Sequence, residues 1–169
     1  MAGFSLFECL MVSVIIAVLA VVTLPSLSSF WPRSTQYVQS HQLLNAIQLA
    51  RHEAMMRQLP ITLCPSQNKT SCFGQWNNGY IVTTNTTLIQ PFDFPSKQGE
   101  LHFRSFQRNF NFLRFSARGE PMTGNASFWY CSHQTMAWAI VVNRAGRARL
   151  VYPDASGHIV DETASQLVC

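Results

Sequence analysis

An apolar run at the start of the chain constrains its fold more than any other feature of the sequence. Residues 4–24 contain a single charged side chain, Glu8. At about 1.5 Å per residue, a helix of this length crosses the hydrocarbon core of a bilayer. No basic residue precedes the run, and no A-x-A cleavage site of a removable secretory signal follows it. We therefore expect a retained single-pass anchor that carries the rest of the chain outside the membrane.

The charge within this run needs an explanation. An ionisable group deep in an apolar helix is costly, and such groups are by default functional. The alternative is that Glu8 lies at the headgroup level, near one end of the helix, where its carboxylate reaches water. The sequence alone leaves both interpretations open.

A second helical stretch follows the anchor and ends before Pro60. One face of it carries apolar residues at four-three-four spacing, namely Leu43, Ile47, Ala50 and Ala54. This spacing is typical of an amphipathic helix that buries one stripe against another element. We divide the helical part of the chain into a membrane or filament-core helix at residues 4–25 and an amphipathic helix at residues 26–60.

The remainder, residues 61–169, predicts β-structure. Short apolar runs alternate with Gly and Asn turn signals, at residues 61–64, 79–84, 101–103, 113–116, 127–131, 137–142 and 147–152. Pro91, Pro95 and Gly99 predict a long loop between the early and middle strands. The expected fold class is α+β, with a long N-terminal helix packed on antiparallel strands in two small sheets.

Composition limits the possible partners. The net charge is +4, and the only lysines among the twelve cations are Lys69 and Lys97, so ten cations are arginine. The planar fork of arginine suits bidentate contact with phosphate. This balance permits a nucleic-acid or membrane-surface partner without establishing one.

The cysteines indicate an oxidising compartment. Cys9 lies in the apolar run, and Cys64, Cys72, Cys131 and Cys169 lie downstream. Four cysteines allow three pairings, of which we favour Cys64–Cys72, closing a short loop, with Cys131–Cys169 holding the C-terminus. The alternative is free buried thiols. Zinc is disfavoured because there is no C-x-x-C and no histidine at ligand spacing.

No enzyme signature is present in the sequence. It contains no G-x-S-x-G, P-loop or H-E-x-x-H motif, and its five histidines form no linear constellation. We therefore predict no catalytic residue, no metal and no cofactor.

The first eight residues, M-A-G-F-S-L-F-E, with the apolar run and Pro25 behind them, resemble the class III signal of type IV pilins and pseudopilins. The resemblance implies that a prepilin peptidase removes residues 1–3 by cutting after Gly3 and methylates Phe4. It also gives Glu8 a role. Its carboxylate would neutralise the new amine of a neighbouring subunit inside the filament. A subunit packed out of register would leave both charges unpaired in an apolar medium.

Further motifs narrow the family. L-A-R-H-E-A-M-M-R at residues 49–57 looks like the "LARSEAIKR" helix of the GspH/FimT minor pilins. The cysteine loop after Cys64, G-Y-I-V at residues 79–82 and the segment from Phe115 to Gly119 are similar to the family's next motifs. The chain is thereby identified as a GspH/FimT-type minor pilin, most like the FimT type. This implies the type IV pilin-like fold.

The last motif bears on function. In a predicted hairpin, Arg147 and Arg149 share one face, Arg144 comes from the turn, and Gly146 supplies the turn. Three guanidinium groups placed in this way can bridge successive phosphates. The alternative from spacing alone is a solvated strand edge whose charges block aggregation.

G-R-A-R at residues 146–149 also matches the G-R-x-R motif of FimT-type pilins, which bind DNA during natural transformation. The resemblance implies a DNA-binding minor pilin, first an inner-membrane protein with a periplasmic domain and later part of the pilus at the cell surface. Two alternatives remain: a structural minor pseudopilin of a type II secretion system, and an assembly component that touches DNA incidentally. The acidic residues Asp154, Asp161 and Glu162 either shield or orient the arginines.

A second basic stretch has arginines interleaved with phenylalanines between Phe103 and Arg118. Aromatic and arginine side chains can together stack single-stranded bases. The favoured interpretation is nevertheless a half-buried strand, because phenylalanine alternating with polar residues is the ordinary pattern of one.

Overall fold

The computed structural model describes residues 6–94, 99–107, 109–154, 156–162 and 165–169, without the side chains of residues 21–33. The chain forms two compact units, Met1–Tyr37 and Val38–Cys169. Its elements are α1 Leu6–Arg57, β1 Ile61–Pro65, a 3-10 turn Trp76–Asn78, β2 Tyr80–Thr83, β3 Leu88–Phe92, β4 Gly99–Ser105, β5 Leu113–Phe115, β6 Ala126–Ser132, β7 Thr135–Val142, β8 Ala148–Val151, β9 Ile159–Val160 and β10 Gln166–Leu167.

In the first unit, residues 6–37 form helix, and the side chains of residues 6–19 are exposed. Gly3 and Phe4, the predicted processing residues, lie outside the described residues, whereas Glu8 lies in the first turn of α1. Within the described part of the chain, no helix has a stretch that is long and apolar enough to cross a membrane.

In the second unit, α1 buries the stripe that the sequence predicts. Leu43, Ile47, Ala50 and Ala54 are fully buried, and Ala46 joins them. The helix ends at Arg57, three residues before Pro60, which cannot continue the helical hydrogen bonds. The apolar stripe that the spacing predicts is therefore buried in this unit.

Two four-stranded antiparallel sheets pack with this part of α1. The first has the order β3-β2-β1-β5 and the second the order β4-β6-β7-β8. One core cluster joins the helix stripe to residues of both sheets, including Leu63 of the first and Phe128 and Ile140 of the second. The α+β class with two small antiparallel sheets is confirmed.

The predicted long loop around Pro91 is wrong. Pro91 lies in β3 and pairs with Ile81, and Gly99 is the first residue of β4. β3 is the edge strand of its sheet, where a residue without an N–H group does not interrupt a central ladder. Pro95 lies outside the described residues.

The outer face of the second sheet is covered by the C-terminal segment, residues 159–169. Its short hairpin β9–β10 places Ile159 and Leu167 in a second cluster with Ala139, against which Trp129 and Val151 also pack. The indole Nε1 of Trp129 donates to the carbonyl of Val168 at 3.0 Å, and a disulfide joins Cys131 to Cys169. These contacts hold both short strands and the end of the segment against the sheet. Sequence patterning missed this hairpin because each of its strands has only two residues.

Candidate nucleic-acid interface

The turn between β7 and β8 carries the predicted arginine motif. We call residues 143–147 the arginine turn. The Asn143 N–H donates to the Arg147 carbonyl at 3.1 Å, and the Gly146 N–H donates to the Asn143 carbonyl at 2.9 Å. The Asn143 side-chain oxygen accepts from the backbone N–H groups of Ala145 and Arg147. Asn143 therefore fixes the backbone from which two arginines project.

Gly146 is required at this turn for two reasons. Its φ is +75°, a left-handed conformation that costs other residues energy. A Cβ at this position would also lie 2.1 Å from the carbonyl oxygen of Gly119. The glycine therefore lets the arginine turn approach the loop between β5 and β6, in which Gly119 lies.

Arg51 of α1 ties both loops to the helix. Its Nε donates to the Gly119 carbonyl at 3.1 Å, and its Nη2 donates to the Ala145 carbonyl at 3.2 Å. These partners lie 68 and 94 residues away in sequence. One half-buried guanidinium thus holds the arginine turn in place, which reduces the conformational entropy that a ligand has to remove.

Three arginine side chains are exposed around this turn. Arg144 and Arg147 are exposed on the turn itself, and in the described part of the chain neither has an ion pair. Arg118 lies in the loop beside it, is 85% exposed, and approaches Glu120 only to 3.7 Å. Guanidinium groups in such positions are available to an anion from solution.

Arg149 differs from the other predicted arginines because it has an acidic partner. Its Nε and Nη2 lie 3.2 and 3.1 Å from Oε1 of Glu162 in the C-terminal segment. Ala148 and Leu150 pack against the core, so Arg149 extends from the opposite face of β8, the face that this segment covers. The structure therefore brings Arg144, Gly146 and Arg147 together, and pairs Arg149 with a carboxylate.

Strand register explains why the neighbouring residue Asp161 engages another arginine. Arg104 on β4 pairs with Ser127, Ser127 with Val141, and Val141 with Arg149. The two arginines therefore end one transverse row across the sheet, roughly 14 Å apart at strand spacings of about 4.8 Å. Asp161 lies 2.7 Å from Nη2 of Arg104. Consecutive carboxylates thus hold the arginines at both ends of the row.

The next row explains which loops meet at the arginine turn. Ser105 pairs with Ala126, Ala126 with Val142, and Val142 with Ala148. The chain leaves the sheet at this row both after β4 and after β7, which brings Phe106 next to Arg144. The guanidinium carbon of Arg144 lies 5.7 Å from the centre of the Phe106 ring, within the range of a cation–π contact.

Both disulfides are present in the favoured pairing. Cys64 is bonded to Cys72 and Cys131 to Cys169, with Cα–Cα distances of 5.5 and 5.7 Å. The first closes the loop after β1, and the second fixes the end of the C-terminal segment to β6. Cys9 is free and exposed.

Tyr80 and Asp154, both in the described part of the chain, have clearly shifted pKa values. Burial raises the pKa of the Tyr80 hydroxyl above its usual range. A hydrogen bond from the Ser156 hydroxyl, followed by one from the His158 backbone, lowers the pKa of the Asp154 carboxyl. Tyr80 lies in the core and Asp154 in the turn after β8, so neither belongs to the arginine turn. The predicted acidic cluster therefore divides, because Asp161 and Glu162 hold arginines whereas Asp154 organises its own turn.

Sequence reasoning missed two contributors to this surface. Arg51 belongs to the L-A-R-H-E-A-M-M-R motif of the helix, but no local pattern indicates contacts so distant in sequence. Phe106 was part of the second basic stretch, for which a half-buried strand was favoured. That interpretation holds for Phe103, which packs on the core, and for Phe115, which is fully buried. It fails for Phe106, which is 61% exposed. Arg108 of the same stretch lies outside the described residues.

The chain matches a known protein family. The family model of the type II transport protein GspH matches residues 39–146, more than half of the chain. The match includes Arg144 and Gly146 and ends before Arg147 and Arg149. No curated protein matches the chain.

The fold is similar to that of a solved minor pilin. A crystal structure of the type IV minor pilin FimU from Pseudomonas aeruginosa PAO1 superposes with a TM-score of 0.56 at 18% identity, covering 72% of this chain and 92% of that one. A second crystal form of FimU gives 0.55 at 17% identity, covering 68% and 91%. At such identities the likeness is one of fold.

Proposed function

Because the chain belongs to the GspH family of type II transport proteins, we propose that it is a minor type IV pilin that binds extracellular DNA for uptake in natural transformation. Arg144, Gly146 and Arg147 form the binding turn, and Arg149 contributes when it exchanges Glu162 for phosphate. The contacts go mainly to the phosphate backbone, so binding is weakly sequence-selective and steeply dependent on salt.

This proposal rests on one observation at the arginine turn: its backbone is held in place, while its arginine side chains are exposed. Asn143 and Arg51 hold its backbone by hydrogen bonds, while Arg144 and Arg147 remain exposed and without ion pairs in the described part of the chain. A surface that served only to solvate a strand edge would not need this support from a distant helix. Fixed guanidinium groups favour binding, since less freedom is lost when phosphate arrives.

The proposal includes the life cycle that the pilin signal implies. A prepilin peptidase cuts after Gly3 and methylates Phe4, and the helix at residues 4–25 holds the precursor in the inner membrane with its domain in the periplasm. In the filament, Glu8 pairs with the amine of a neighbouring pilin. The exposed apolar side chains of residues 10–19 in α1 support this step, because lipid or neighbouring helices would cover them.

A structural minor pseudopilin of a type II secretion system is the second candidate, favoured because the matching family is that of a type II transport protein. It requires the same signal, helix and fold, but no DNA binding. An assembly component that touches DNA incidentally is the third possibility. Deleting it would abolish piliation, whereas a DNA-capture pilin would lose transformation when only the arginine turn is changed.

The test is a titration of labelled duplex DNA with the purified full-length chain and with an Arg147→Gln/Arg149→Gln variant. We expect the variant to bind about five- to tenfold more weakly at low salt, with a salt slope reduced by about 1 for each lost phosphate contact. An Arg57→Gln/Lys69→Gln variant is the matched control, because it removes the same charge from two cations that pair with Glu53 and Asp93.

The control variant should bind as the unmodified chain does. Equal binding by all three proteins would reject the arginine turn as the site. No binding by the unmodified chain, even at low salt, would favour the structural pseudopilin.

A further inference from the structure

A cleft beside the arginine turn has a different chemistry from the turn itself. It has a volume of about 240 Å³ and lies between the end of β4 and the C-terminal segment. Phe106, Asn125 and Ser127 line it, together with the ion-paired Arg104 and Asp161. Because the two charges in its wall neutralise each other, the cleft offers hydrogen bonds and an aromatic surface rather than a net positive charge.

Phe106 is exposed in a way that a core residue would not be. Its ring keeps 61% exposure although Arg144 approaches it at 5.7 Å, while its backbone N–H is fixed to the Asn125 carbonyl at 2.8 Å. Close contact with Gly124 also holds the residue, since a Cβ on that glycine would lie 2.9 Å from the Phe106 Cβ. An aromatic ring at a fixed position beside a cation is a stacking surface.

We propose that this cleft receives one unpaired nucleobase of a DNA strand whose phosphates lie on the arginine turn, with Phe106 as the stacking surface. The inference rests on the proposed DNA binding and names the form of DNA. Phosphates suit the exposed Arg144 and Arg147, whereas an uncharged planar base suits the charge-neutral cleft. Drug-sized ligands occupy about 300–1,000 Å³, so a cleft just below this range fits a single ring system.

The consequence is a preference for single strands and frayed ends. In a duplex the bases are stacked on one another, so their faces cannot stack on an aromatic side chain of the protein unless a base leaves the helix. An unpaired base adds a stacking contact that tolerates any sequence, because every base has a π-face. Single-stranded DNA should therefore bind more tightly than a duplex of equal length and depend more on Phe106.

The experiment compares a labelled single-stranded 20-mer of deoxythymidine with a duplex of equal length. The protein is the full-length chain, unmodified or with Phe106→Ala, Phe106→Trp or Phe110→Ala. We expect Phe106→Ala to weaken binding of the single strand about tenfold and to leave duplex binding within about twofold. Phe106→Trp should retain binding. Phe110→Ala is the control, because Phe110 is 41% exposed and contacts Phe112.

Thermal unfolding of each variant shows whether its fold is intact. The inference is overturned if Phe106→Ala leaves single-strand affinity unchanged, or weakens both forms of DNA equally. Loss of filament incorporation with unchanged single-strand binding would also overturn it, and would assign Phe106 to a contact with another subunit. If Phe106→Ala has no effect but Arg147→Gln/Arg149→Gln still weakens duplex binding, the stacking proposal fails and the proposed function stands. If the unmodified chain binds no DNA at all, both the stacking proposal and the proposed function fail.

Discussion

Two adjacent rows of the second sheet place arginines in opposite surroundings: one row ends in arginines, and the other leads into the arginine turn. Beyond the row of Ser105 and Ala148, the chain turns and leaves Arg144 and Arg147 exposed without ion pairs among the described residues. In the row of Arg104 and Arg149, both guanidinium groups face carboxylates of the C-terminal segment. The two rows differ by one residue along each strand.

Spacing within a motif therefore does not determine whether an arginine side chain is available to bind an anion. Arg147 and Arg149 are two residues apart and appear equivalent in the sequence, but only Arg149 lies under the C-terminal segment. Its ion pair is 60% exposed on the arginine side and 30% on the glutamate side. Surface pairs of this kind contribute about 0–1 kcal/mol, so a DNA phosphate can displace Glu162. In the proposed DNA binding, Arg147 would contact phosphate directly, whereas Arg149 would first have to leave Glu162.

The largest expected effect is a loss of stability when the glycine that supports the exposed arginines is substituted. Gly146→Ala places a methyl group 2.1 Å from the Gly119 carbonyl at a positive φ, and we expect a loss of about 3 kcal/mol in the free energy of unfolding. Gly157→Ala is the matched control, because its φ is +79° and no atom lies within 4 Å of the added Cβ. It should cost about 1 kcal/mol. Equal losses in denaturant titrations would exclude the contact with Gly119 as a constraint.

The two carboxylates of the C-terminal segment should differ in their contribution to stability. The Asp161 side chain is 7% exposed and bonds to Arg104, which is 33% exposed. Asp161→Asn leaves that guanidinium without its charge partner, and we expect a loss of about 2 kcal/mol. Glu162→Gln should cost less than about 0.5 kcal/mol, because its pair is more exposed. A larger loss for Glu162→Gln than for Asp161→Asn would mean that the Arg149–Glu162 pair is the structural one and the Arg104–Asp161 pair the displaceable one.

The smallest expected effect is a change in DNA affinity, and it tests the difference between Arg147 and Arg149 most specifically. Glu162→Gln should raise affinity for duplex DNA about twofold, because phosphate then meets no competitor at Arg149. In this background, Arg149→Gln should weaken binding more than it does in the unmodified chain, which a double-mutant cycle measures. Glu53→Gln, which removes the partner of Arg57, controls for the change in net charge. An equal rise in that control would mean that only overall charge matters.

Much of the architecture was predictable because it depends on local patterns. The stripe from Leu43 to Ala54 predicted the packed face of the helix, and alternating apolar runs predicted most strands of both sheets. The GspH-type family was also predicted from motifs and is confirmed, whereas the narrower FimT assignment stays a prediction. The edge strand containing Pro91 was missed because proline signals a loop unless the neighbouring strand is known.

The candidate site was predictable only in part, because half of it comes from long-range register. Arg144, Gly146 and Arg147 are contiguous, and their turn follows from glycine and asparagine chemistry. The hold of Arg51 on the turn, the position of Phe106 and the pairing of Arg149 with Glu162 depend on which strands lie side by side. The cations of the motif could be named from the sequence, but their neighbours could not.

The most direct test of this account compares Arg147→Gln with Arg149→Gln as single variants, in duplex titrations at several salt concentrations. We predict that Arg147→Gln weakens binding about fivefold and lowers the salt slope by about 1, whereas Arg149→Gln changes affinity less than twofold. Equal losses from the two substitutions, or a larger loss from Arg149→Gln, would contradict the claim that Glu162 holds Arg149 back from DNA.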